Sequence, residues 1–149
     1  MKIKGLSLLV IVLFSYASTV QAFKCYMTMV KDNCWLDYEV TIKAIDVAAN
    51  REILQIIIPK GKSWIRQQFT CTPKQSFMYT ASFTPIIWAS DENKIYKARR
   101  YWSLPAQIKS GETAWEIKAC YPKDFAVTAV PPTSQGNCMC DFATIPAII

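Results

Sequence analysis

Near the end of the chain, Gln135 to Phe142 reads QGNCMCDF, which sets Cys138 and Cys140 one residue apart. Two thiols this close allow three chemistries: a redox pair, part of a metal clasp, or the ends of structural crosslinks. A redox pair is disfavoured because the spacing is not the Cys-x-x-Cys that, at a helix N-terminus, depresses a thiol pKa. A metal site would need further soft ligands, and in an oxidising compartment disulfides compete with thiolates. A bond between the two is tight, since in extended chain their Cα atoms sit about 6.5–7 Å apart, the limit for a relaxed disulfide. The relaxed solution sends each sulfur to a different distant partner and makes a double tether for the C-terminal segment. The other cysteines are Cys25, Cys34, Cys71 and Cys120. An even number in an exported chain predicts three disulfides and no free thiol. Connectivity is not readable, and Cys25 and Cys34, which bracket a short N-terminal loop, are spaced for a local bond.

The chain has no histidine. That removes the usual general base near neutral pH, every Ser-His or Cys-His nucleophile, and histidine-based zinc sites. Carboxylates remain available for acid–base work, but Asp37, Glu39, Asp91, Glu92 and Asp124 are scattered among turns and polar strand faces, where solvated surface charge is expected. Four glycines leave little scope for a phosphate-cradling loop. The expectation is a chain without catalytic residues, cofactor or metal.

The second concentration of chemistry is KIYKARRYWSLP, Lys94 to Pro105. Lys97, Arg99 and Arg100 interleave with Tyr101 and Trp102, and charge falls on both parities, so neither face of a strand here is cleanly buried. Such a strand suits a sheet edge, where basic residues discourage stray pairing. The same residue types are enriched at interface hot spots, which makes Lys97, Arg99, Arg100, Tyr101 and Trp102 the candidate partner-binding residues. A single-strand nucleic-acid groove would use them too, but export argues against that partner.

The elements that position these residues read as strands. In DYEVTIKAI, Tyr38, Val40, Ile42 and Ala44 alternate with Glu39, Thr41 and Lys43, the period of a half-buried strand. EILQIII follows after a reversal at Asn50, a residue that tolerates left-handed backbone. SWIRQQFTC, QSFMYTASF, IIWAS, KIYKARRYWSL and AWEIKACY complete the set. About seven short strands with turn signals roughly every ten residues predict an all-β, antiparallel β-sandwich, immunoglobulin-like or similar. It is stapled by disulfides, with Trp64, Trp88 and Trp115 as core anchors. After Pro122 the chain turns irregular, and the apolar FATIPAII within the tail (130–149) is expected to dock on the sandwich or on a partner.

The first 22 residues have the layout of a cleavable export signal: Lys2 and Lys4, an apolar core from Leu6 to Phe14, and Val20-Gln21-Ala22 before the cut. The apolar run is short of the ~20 residues of a spanning helix, and no later run replaces it. Cleavage before Phe23 leaves one domain, 23–149, and lowers the net charge from +6 to +4 by removing two lysines. That excess is too small to imply nucleic acid without a clustered patch.

FKCYMTMVKDNCW, FTCTPKQSF, KIYKARRYWSLP and WEIKACYPKDFA, with the closing CMC, resemble the EirA family. These are small periplasmic proteins of intracellular gammaproteobacteria associated with Dot/Icm-type IVB secretion systems. The shared markers are cysteines and aromatics, so the resemblance carries no active site. It implies a non-catalytic periplasmic accessory factor that supports effector secretion and intracellular replication through contacts with envelope or secretion-system proteins. The alternative is a protein secreted beyond the cell that binds or inhibits a host or competitor target.

Overall fold

The computed structural model describes residues 22–126 and 129–149. The expected export signal, residues 1–22, lies outside them apart from Ala22.

Eight strands build two sheets: β1 (Phe23–Lys31), β2 (Glu39–Asp46), β3 (Arg51–Ile58), β4 (Trp64–Cys71), β5 (Ser76–Thr84), β6 (Tyr96–Lys97), β7 (Trp102–Ser103) and β8 (Trp115–Tyr121). One sheet has the order β4-β1-β8; the other runs β3-β2-β5-β6, with β7 also on β5. Pairing is antiparallel except between β1 and β8, which run parallel. The result is the expected disulfide-stapled β-sandwich.

Period-two patterning decides which side chains meet between the sheets. Met27 and Met29 of β1 and Ile117 and Ala119 of β8 face Val40, Ile42, Ile56, Phe77 and Tyr79 from the other sheet, all buried. Asn50 takes φ 48° in the β2–β3 reversal, as its residue type predicts. Trp35, in a single 3-10 turn after β1, packs its ring against Tyr38, Phe83 and Tyr121. Burying so large a ring against three others makes it a principal core anchor.

Several expectations need correction. The stretch between Cys25 and Cys34, expected as a short loop, is mostly strand β1; its run MTMV defeats alternation because both faces of this central strand are covered, and residues Met27 to Lys31 are all buried. IIWAS forms no strand but an irregular turn, with Trp88 36% exposed. Trp64 is only half-buried, whereas Trp115 is a core residue as expected. The strand-like KIYKARRYWSL is interrupted between β6 and β7, although both pieces lie on β5 at the sheet edge.

All six cysteines pair: Cys25–Cys71, Cys34–Cys138 and Cys120–Cys140. The local Cys25–Cys34 bond does not form, because extension of β1 carries Cys25 beside β4 and leaves Cys34 beyond the strand's far end. Cys138 and Cys140 do go to different partners, 104 and 20 residues away in sequence. The C-terminal segment is thus pinned across the outer face of the three-stranded sheet. Backbone of Asn33 donates to the Met139 carbonyl at 3.2 Å, and Met139 N–H donates to Asn33 Oδ1 at 2.7 Å. Farther along, Arg66 Nη2 donates to the Pro146 carbonyl at 2.6 Å, and Ile145 is buried.

Candidate functional site

The interruption between β6 and β7 has a local cause. Ala98 bridges to Phe125 in the turn after β8, Arg99 N–H donates to the Asp124 carbonyl at 3.0 Å, and Ala126 N–H donates to the Lys97 carbonyl at 2.7 Å. The Arg99 side chain also turns back, its Nε donating to the Phe125 carbonyl at 2.6 Å. This segment therefore stitches the edge of the five-stranded sheet to the end of β8, and Arg99 is a brace.

The five candidate partner-binding residues separate accordingly. Lys97 is exposed and pairs opposite Thr80 of β5. Tyr101 is 62% exposed. Arg100 and Trp102 come together: the guanidinium carbon lies over the indole ring, 4.3 Å from its centroid. Trp102 is itself half-buried against Tyr79, and its Nε1–H is buried without a partner among the described residues.

Arg100 and Trp102 form one wall of a cleft of about 430 Å³. Lys118 of β8 and Lys123 of the following turn supply two more cations. The tail supplies the opposite wall through Met139, Cys140 and Phe142. Asp124 is the one acidic lining residue, and its Oδ2 accepts the Cys120 backbone N–H at 2.7 Å, which fixes the turn carrying Lys123. Lys118 Nζ lies 3.4 Å from Glu116 Oε2. Among the described residues neither Arg100 nor Lys123 has a carboxylate partner. Lys118, Lys123, Met139 and Phe142 escaped sequence reasoning, because long-range contacts bring them together: main-chain bonds tie the turn after β8 to segment 97–99, and Cys120–Cys140 brings the tail to β8.

Along the three-stranded sheet from the cleft, next to Lys118, Thr28, Arg66 and Glu116 form a network from three adjacent strands. Thr28 Oγ1 donates to Glu116 Oε1 at 2.6 Å, and Arg66 Nη2 donates to the same oxygen at 2.7 Å. Burial pushes the Glu116 carboxyl up, but the Thr28 hydroxyl, Arg66 and Lys118 outweigh it and hold the carboxyl below its ordinary value. At the end of β1, the buried Lys31 ammonium donates to the Tyr38 and Pro59 carbonyls at 2.5 and 2.9 Å. Burial lowers its pKa to about 8 against the pull of Asp37 and Glu39.

The carboxylates are not all solvated as expected. Asp91 is buried beneath Tyr96, whose hydroxyl donates to it at 3.4 Å, because the 3-10 turn Ala89–Asp91 folds it inward. Asp32, Cys34 and Cys138 offer ligand atoms within 4.8 Å of one another. The two sulfurs are bonded to each other, so they are not thiolate ligands. Asp32 accepts the Cys34 N–H at 2.9 Å as a cap, while burial raises its pKa against the lowering effect of the Cys34 and Trp35 N–H groups.

No protein-family model matches this chain, and no curated protein matches it.

Proposed function

We propose that this protein is a non-catalytic binding module of the bacterial envelope, residing in the periplasm and supporting a type IVB secretion assembly through protein–protein contacts. The observation that carries the binding reading is the cleft: an Arg-over-Trp pair, two lysines and an apolar wall, held on crosslinked elements. Interfaces draw their energy from such Arg and aromatic anchors, above all when these are preorganised. The secretion-system context rests on the EirA resemblance. Three disulfides fit an oxidising compartment, and no helix among the described residues is long and apolar enough to cross a membrane. β1 begins at Phe23, so loss of residues 1–22 leaves every strand whole. The lack of histidine and the pairing of all cysteines support a role without catalysis.

Crosslinking in native cells, followed by purification of the mature protein from periplasmic and medium fractions, tests the reading. Envelope proteins enriched from the periplasmic fraction are the expected result. Most of the protein in the medium, crosslinked to nothing in the envelope, would replace it with a secreted binder.

A further inference from the structure

The chemistry of the cleft specifies what kind of partner segment fits it. Arg100 and Lys123 meet there without a carboxylate partner among the described residues, Lys118 is shared with Glu116, and Asp124, whose Oδ2 accepts the Cys120 N–H, is the one acidic group of the lining. The Arg100 guanidinium carbon lies over the Trp102 indole, and a guanidinium carries its N–H donors in the planar fork that grips a carboxylate. Beside the cations lie Trp102, Phe142 and Met139, the last 68% exposed. An inorganic anion would leave that apolar wall unused. At about 430 Å³ the cleft lies within the roughly 300–1,000 Å³ typical of ligand sites, room for side chains but not for a folded domain. Two of its elements, the turn after β8 and the Arg99–Trp102 segment, are tied together by main-chain bonds, and the third is held by Cys120–Cys140.

We infer that this cleft binds an acidic segment of a protein partner. A carboxylate sits between Arg100 and Lys123, an adjoining aromatic or aliphatic side chain lies on Met139 and Phe142, and the tail crosslink completes the site. The assignment rests on the protein-binding reading above and adds the chemistry of the partner.

The probe is a blocked hexapeptide alternating glutamate and phenylalanine, titrated into the disulfide-intact mature protein and followed by amide NMR and calorimetry. Shifts confined to 99–103, 118–124 and 139–142 are expected. Affinity should fall about three- to tenfold in the Arg100→Gln/Lys123→Gln double variant and fall with added salt, as for exposed interface charges. A second variant, Phe142→Ser, keeps both tail disulfides and should weaken this peptide more than an alternating glutamate–serine one. Equal affinity for the glutamine-for-glutamate peptide, or shifts outside the cleft, would overturn the assignment. So would inorganic phosphate or phosphatidylglycerol vesicles binding more tightly than the peptide with the same dependence on Arg100 and Lys123. In cells, a photocrosslinker at Tyr101 separates the two levels. Envelope adducts that disappear in the double variant support the acidic segment. Adducts undiminished in it sink the acidic segment and leave the binding module standing, whereas no adduct at all removes both.

Discussion

The two sheets handle their outer faces differently. The five-stranded sheet leaves its own to solvent: Lys43, Gln55 and Lys97 are exposed, and Ile57 is 44% exposed. The three-stranded sheet is covered, with Thr28 and Val30 of its central strand fully buried. Its cover is a segment without helix or strand, in which only Pro131 and Ile145 are buried among the described residues, Cys138 being exposed and Cys140 half-buried. So little apolar burial cannot offset the entropy of ordering such a tail. Two disulfides and a few hydrogen bonds do, and the candidate cleft opens at the seam they create. A covalent clasp can thus supply a binding wall where hydrophobic packing alone would leave a loose end.

Cutting the clasp should sharpen the contrast most. Replacing Cys34 and Cys138 with serine closes no alternative bond and frees a 104-residue crosslink, so unfolding free energy should drop by about 3–5 kcal/mol in urea titrations. The Cys120→Ser/Cys140→Ser pair should cost about 2–4 kcal/mol and abolish the cleft while β2, β3 and β5 stay protected from hydrogen exchange. A tail still protected in both variants would show that packing holds it.

Glu116→Gln comes next. It loses a charge-assisted partner for both Thr28 and Arg66 beneath the tail and should cost about 1.5–3 kcal/mol at pH 7. Because the folded-state pKa of Glu116 is depressed, its contribution is present above the ordinary glutamate value and is lost as pH falls through the folded one. The difference between wild type and Glu116→Gln should therefore shrink in acid. On the open sheet, the exposed Lys43–Glu52 pair is the counterpart, and Lys43→Ala should change stability by no more than about 0.5 kcal/mol.

Lys31 gives a smaller effect with an unusual sign. Its folded pKa of about 8 lies below the unfolded value, so between the two the unfolded chain binds more protons and stability rises with pH. A gain of up to about 2 kcal/mol is expected from pH 8 to 10, absent in Lys31→Met. Above pH 10 the sign reverses, since burial raises Tyr79 and Tyr121 and only the unfolded chain then releases their protons. A flat profile across pH 8–10 would show that Lys31 stays charged in its carbonyl cradle.

The sheet sandwich was legible because alternation is a local signal: β2, β5 and β8 each repeat apolar residues at every second position. β1 was not, since a strand covered on both faces loses the alternation, and what covers it lies more than a hundred residues away. The candidate residues follow the same division. Arg100 and Trp102 stood out by type and closeness, but Lys118 and Lys123 joined them only through the bonds between segment 97–99 and the turn after β8, and Met139 and Phe142 only through the path of the tail.

Composition and spacing alone determined that the chain lacks histidine chemistry, builds strands, and sends Cys138 and Cys140 to separate partners, because backbone reach and side-chain pKa are properties of a few neighbouring residues. Which cysteines meet, which face of β1 is roofed, and which cations share a cleft were decided by tertiary structure. Those depend on closing loops of many residues, and no local rule of propensity or geometry selects among the ways of closing them.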